Sequence, residues 1–282
     1  GKDNNDPELR AALEEKWGLN EPEYKQFFSY LGNAMHGDLG TSITFNRPVR
    51  EMIGEKVAPT LLLGITAAII ALLLGTALGI YGARHEGSFL DTVISAISYG
   101  FDAMPSFWLG LMLIIIFANN LGLLPTSGMT DQRADYTGTA YYLDILKHMV
   151  LPTVTLTAVT MPGYFRIAKS SVLQVCNEEF ITTLRATGMS ERKIFNKYVF
   201  RNAILPTITV FGITMAFLIT GVTLIEIVFA WPGMGRLTMT AITQRDYPTL
   251  LGIYLIIALS VSIVMILVDI VYALFDPRIR YE

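Results

Sequence analysis

Residues 178–206 read EEFITTLRATGMSERKIFNKYVFRNAILP. This mixed-charge stretch carries one glycine, ends in Leu-Pro and separates two long apolar runs. Phe180, Ile181 and Leu184 fall on one face at helical spacing. Gly188 suits the end of that helix, because glycine takes the left-handed C-terminal conformation without a Cβ penalty. Ser190 suits the cap of a second helix, whose apolar side is Ile194, Phe195, Tyr198 and Val199. Asn202 leads into the next apolar run. The spacing predicts a helix–turn–helix elbow over 177–201. Its composition fits either an amphipathic element held on a membrane surface by its basic side or a docking knob for a soluble partner, with Gly188 at the sharp turn.

The surroundings of the elbow settle the fold class. Of 282 residues, 52% are hydrophobic and 16% charged, against about 25% charged in a soluble domain. A spanning helix needs roughly 20 mostly apolar residues. Uncharged runs cover 57–83, 92–118 (interrupted by Asp102), 149–165, 202–225 and 247–268. With their flanks they predict an all-α, polytopic membrane domain over 58–282, with five spans at about 58–83, 92–118, 146–167, 203–227 and 248–275. Glycines and prolines inside them (Gly75, Gly79, Pro105, Gly110, Pro152, Pro162) fit close helix packing and kinks satisfied by neighbours. Arg84, Arg166, Lys169 and the many cations of the elbow lie on one side. Lys and Arg favour the cytoplasmic side, so the elbow is expected in the cytoplasm.

The segment 1–57 then lies outside. Asp6-Pro7-Glu8 reads as a helix start and Gly18 as its stop; a second helix is expected from Pro22-Glu23 to about Met35. Its face of Tyr24, Phe27, Phe28 and Leu31 is expected to pack as a cap on the outer mouth.

A net charge of −3 gives no basic surface for nucleic acid. One cysteine, Cys176, and three histidines, His36, His85 and His148, give neither a disulfide framework nor a zinc site. No phosphate-binding G-x-x-x-x-G-K-[ST] loop is present. The chain starts at Gly1 without a signal-peptide pattern, and an upstream segment is expected. Charges within spans are costly and usually face a cavity or a partner. Asp102 is expected near mid-membrane, lining a pathway or held as a structural carboxyl. Glu226, near the outer end of its span before Trp231-Pro232-Gly233, either shapes an outer gate or caps a loop. Asp269 is expected to pair with Arg278 or Arg280. Trp108, Trp231, Tyr141 and Tyr142 fit interfacial anchors.

The ordered set of stretches carries a resemblance. Arg185-Ala186-Thr187-Gly188, followed by RNAILP ending at Pro206, resembles the cytoplasmic coupling loop of ATP-binding-cassette importer permeases. GLNEP at 18–22, GDLGTS at 37–42 with Arg47-Pro48-Val49, EIVFAWPGMGRL from Glu226, RDYP at 245–248 and VDIVYALFDPRIRY from Val268 are similar to the dipeptide and oligopeptide branch. Leu184 and Met265 depart from the family's usual residues.

The resemblance implies a type I importer transmembrane fold in a prokaryotic cytoplasmic (inner) membrane. It implies a permease for short peptides, with no catalytic residue, metal or cofactor of its own. ATP and magnesium would be bound by two partner ATPase subunits. A second permease subunit, expected to be a paralogue, an extracytoplasmic substrate-binding protein and membrane lipid complete the partners. Glu179, Thr183, Arg185, Ala186, Gly188, Ser190, Arg201 and Pro206 are then the coupling residues. Asp102, which would meet a peptide's amino terminus, Glu226, Trp231 and Gly233 are candidates for the pathway or gate. The family has six spans, so one upstream span is expected to be missing here. Nickel and glutathione permeases share the branch. A secondary ion-coupled carrier using Asp102 and Glu226 is a reading of another class, but no inverted repeat is visible. A membrane-embedded enzyme lacks a convergent dyad.

Overall fold

A computed structural model describes residues 21–218 and 222–275. The described residues are helical, with one isolated antiparallel bridge between Thr41 and Pro48. The helix expected to begin at Asp6 lies outside them. So do Arg278 and Arg280, the partners expected for Asp269.

Helix α1, Glu23–Met35, starts after Pro22 as expected. It is not the packed cap that its periodicity suggested. No residue of α1 is buried, and Tyr24, Phe27 and Phe28 are each more than half exposed. The packed part of the outer segment is the turn that follows. Gly37 and Gly40 both take positive φ, Asp38 accepts the Gly40 amide at 2.9 Å, and Leu39 and Ser42 are buried.

Helix α2, Val49–Arg84, runs through Pro59 for 36 residues, about 54 Å. It packs along α5, Thr139–Cys176, through small residues. A Cβ on Gly75 would lie 2.6 Å from the Met161 carbonyl, and one on Gly79 2.6 Å from that of Phe165. Only glycine permits backbones this close. Pro152 and Pro162 lie within α5 without ending it.

Between these two helices the chain bends. Helix α3, Phe89–Asp102, and α4, Ser106–Leu113, meet at 102° across a short break, and α4 continues as π-helical turns over Ile114–Asn120. The run expected as the second span is therefore not one straight helix. Pro105 disfavours helical geometry at Met104, and the bend falls there.

The elbow comprises α6, Glu179–Ala186, and α7, Glu191–Ile194, which passes through π-helical turns at Phe195–Val199 into α8, Phe200–Ala203, and α9, Leu205–Ala216. Taken together, Glu191–Ala216 forms one 26-residue apolar helix. The fourth span thus starts inside the elbow and ends earlier than expected. Leu218 turns towards α2, where a Cβ on Gly64 would touch it. Glu226 then sits on a separate short helix, α10, Thr223–Val228, directed inward. Helix α11, Met234–Gln244, and α12, Tyr247–Phe275, complete the described chain.

Among the described residues, three helices are long and apolar enough to cross a membrane, or four if the bent pair is one span. The run expected at 149–165 lies in α5, which is long enough but diluted by Thr153, Thr155, Thr157 and Thr160. Helix α12 exposes Leu251, Leu259, Ile263 and Ile266, an apolar face suited to lipid or a partner helix.

The core divides along α2. At its C-terminal end Ala83 joins Val172, Ile181, Ile194, Val199 and Ala203 under the elbow. Leu63 packs with Ile225, Phe229 and Trp231. At its N-terminal end Val49, Met52 and Ile53 join Leu39, Met234, Leu237 and Ile253. The elbow and the 37–48 turn therefore occupy opposite ends of the bundle.

Candidate functional site

The elbow is held by two isoleucines. Ile181 on α6 and Ile194 on α7 are both buried against Val172 of α5 and Ala83 of α2. Leu184, Phe195 and Tyr198 pack at the edge of this cluster. Phe180, expected on the same face, is 41% exposed. The guanidinium of Arg84 lies 4.7 Å from the Phe195 ring centre, joining the α2 end to the elbow.

Gly188 has φ +79° and makes the turn between the helices. Its amide donates to the Arg185 carbonyl at 3.0 Å, and the Met189 amide donates to that of Leu184 at 3.3 Å. These bonds satisfy the last carbonyls of α6. A side chain at this position would point into open space, so the need for glycine is conformational. Ser190 stands at the cap position of α7, but its carbonyl, not its hydroxyl, receives the Lys193 and Ile194 amides. Arg185 spans the turn, its Nε donating to Glu191 at 2.8 Å.

Glu179, Thr183, Arg185, Ala186, Gly188 and Ser190 are all exposed on the outer side of the elbow, with Ile181 and Ile194 inside. Arg201 is exposed farther along, and Pro206 is exposed in the first turn of α9. The first six lie on α6 and the turn into α7, and the last two on α8 and α9.

Asp102 is partly exposed at the α3–α4 bend and pairs with Arg166 of α5 at 3.0 Å. It is thus neither isolated nor buried. A second pair, Asp91 with Lys169 at 2.5 Å, also ties α3 to α5. Neither pairing was legible from the sequence, since the partners lie 64 and 78 positions apart.

Glu226, Trp231 and Gly233 come together at the opposite end, with one residue the sequence did not single out. Thr60 of α2 donates to Glu226 at 2.5 Å and accepts the Met234 amide at 2.8 Å. Glu226 also accepts the Arg236 amide at 3.1 Å and the Gly235 amide. The Glu226 carboxyl and the Thr60 hydroxyl thus occupy the orphan donors at the start of α11. Gly233 is required because a Cβ would fall 2.0 Å from the Glu226 carboxyl. Trp231 is fully buried, its indole donating to the Pro59 carbonyl at 2.9 Å. It is a core residue, not an interfacial anchor; Trp108, Tyr141 and Tyr142 remain exposed.

Nearby, Asp246 was also missed. It is fully buried and accepts the Ser42 hydroxyl, the Thr249 hydroxyl at 2.9 Å and the Ile43 amide at 3.2 Å. Burial pushes its carboxyl up, and these hydrogen bonds outweigh that effect and hold it below the usual carboxylate range. Its position before Tyr247-Pro248 carried a visible cap signature.

The histidines do not converge: among the described residues no group of His, Cys, Asp and Glu could hold a metal. His148 bonds to the Asp144 carbonyl of its own helix at 2.9 Å.

Among the described residues, a helical bundle with several long apolar spans, one polar elbow and internally bonded outer turns defines a multi-pass membrane protein. Residues 75–281 match the family described as the inner membrane component of binding-protein-dependent transport systems, and the chain belongs to that family. It is 38% identical over 273 residues to the oligopeptide transport system permease protein AppB of Bacillus subtilis strain 168, covering 96% of this chain and 85% of that protein. It is 34% identical to the di/tripeptide permease DppB of Pseudomonas aeruginosa strain UCBPP-PA14 (98% and 87% covered). It is 35% identical to the glutathione permease GsiC of Escherichia coli O6:H1 strain CFT073 (98% and 86% covered). Among solved structures, the inward-facing MetNI methionine ABC transporter matches with a TM-score of 0.61 at 17% identity, covering 80% of this chain and 96% of that one. That likeness concerns the fold alone.

Proposed function

We infer that the chain is the permease subunit of an ATP-driven importer of short peptides, supplying half of the pathway beside a second permease. What carries the reading is the elbow: an apolar underside fixed to the bundle and a polar outer side left free. That surface fits a soluble partner on the cytoplasmic face, and the near full-length similarity to named peptide permeases supports the cargo.

In this account two ATPase subunits bind ATP and magnesium, and the chain holds no cofactor. Docking involves Glu179, Thr183, Arg185, Ala186, Gly188 and Ser190. The elbow then acts as a lever. Its arms share the Ile181–Ile194 core; one follows α5 across the Asn177–Glu178 break and the other runs on into α9, so displacement of the Gly188 turn bears on both helices. Coupling distant sites requires a packed element of this kind to take two positions. Asp102, paired to Arg166, has the position of a brace between α3 and α5.

Reconstitution of the complete complex in proteoliposomes tests the reading. Uptake of a radiolabelled di- or tripeptide is expected only with internal ATP and an external binding protein. Uptake driven by an ion gradient without ATP would contradict it. Glutathione is the second cargo to try, because GsiC is as similar to this chain as the dipeptide permeases are.

A further inference from the structure

At the end of the bundle opposite the elbow, a cleft of about 280 Å³ opens between the N-terminal turns of α2, the 43–48 turn and α11. Its walls are mostly apolar, with Phe45 and Leu237 among them, and three cations reach it: Arg47, Lys56 and Arg236. One acid, Glu55, is also present, but Arg47 already holds it at 2.6 Å. Arg236 donates once to the Ala230 carbonyl at 3.0 Å, and a guanidinium carries further donors. Lys56 is half-buried and forms no ion pair within 4.0 Å among the described residues. The cleft therefore has an excess of positive charge at one side of an apolar pocket.

We propose that this cleft is a carboxylate subsite, which receives the C-terminal residue of an arriving peptide, its terminal carboxylate on Lys56 and Arg236. The proposal rests on the peptide-importer reading and deepens it. Concave, mainly apolar sites with a few placed polar groups suit small ligands. Its volume is just below the usual range for such sites, about 300–1,000 Å³, so it holds the end of a chain and not a protein lobe. A docked acidic side chain of a partner would need the charges but not the apolar wall. Beneath the cleft the Met234 and Arg236 amides are bonded to Thr60 and Glu226.

The test uses the complete complex in proteoliposomes with its binding protein. Uptake of one tripeptide is compared with that of its C-terminal amide, in the unmodified complex, in Lys56→Gln and in Lys56→Arg. Any preference of the binding protein itself is common to all three. In Lys56→Gln the free-acid peptide is expected to lose about tenfold in uptake efficiency, the scale of one charge-assisted hydrogen bond, while the amide is unchanged. Lys56→Arg should restore the free acid. An equal fall for both peptides, or no fall for either, would overturn the subsite; an equal fall with weakened attachment of the binding protein would give the charges to docking instead. If the unmodified complex shows no ATP-dependent peptide uptake at all, the importer reading fails and the subsite falls with it.

Discussion

The two ends of the bundle satisfy their polar groups in opposite ways. At the elbow, the charged and hydroxyl groups sit on the surface, and the one ion pair across the turn, Arg185 with Glu191, is exposed on both sides. At the other end, Glu226, Thr60 and Asp246 are wholly buried and bonded within the chain. The buried carboxylates of the outer end find their hydrogen-bond partners within this single chain. The elbow's outer face keeps its polar groups at the surface, open to a partner. Substitutions of the buried cap residues at the outer end should therefore act on stability, and those on the elbow's exposed face on transport.

The largest effect is expected at Glu226. Glu226→Ala strands the Thr60 hydroxyl and the amides of residues 235 and 236, costing about 2–4 kcal/mol. Thermal unfolding in detergent should fall by roughly 5–10 °C. An unchanged melting temperature would break the contrast between the ends.

Asp246 gives a smaller, pH-dependent effect. Its carboxyl is held below its ordinary value in the folded chain, so the stabilisation is present above about pH 4 and is lost as pH falls through the lower folded value. Asp246→Asn should lower the melting temperature at pH 7 and flatten its decline between pH 5 and pH 3. A mutant that retains the full acid decline would assign that decline to other groups.

Gly188→Val should cost only about 1–2 kcal/mol of backbone strain, because no neighbour obstructs the side chain. Uptake should nevertheless be lost while the melting temperature shifts by a few degrees. Normal uptake in this variant would remove the coupling role of the turn. The smallest effect belongs to Arg185→Gln: an exposed pair is worth below about 1 kcal/mol, so stability should hardly move, and any fall in ATPase-coupled uptake reports a contact beyond the chain.

Local signals made the elbow legible. Gly188 is a turn residue with few alternatives, and Ile181 and Ile194 follow helical spacing. The outer cap was half legible. Glu226 stood out as an acid in an apolar run, but its partner Thr60 is 166 positions away, and no periodicity links them. The break near Pro105 was signalled by the proline, yet a 102° bend depends on what α3 and α4 pack against. The aromatic face of α1 had helical spacing and still found no core, because periodicity shows that a face exists and not what covers it. Trp231 looked interfacial by residue type alone; burial of its ring beside Leu63 and Phe229 follows from the inward turn of α10.

The most direct measurement places a single cysteine at the turn, Ser190→Cys in a Cys176→Ala background, within the assembled complex in native membranes. A short bifunctional cross-linker is expected to join this residue to an ATPase subunit, with labelling blocked from outside the cell. Labelling from the external face, or a fully assembled complex in which residue 190 never cross-links to the ATPase, would contradict the account.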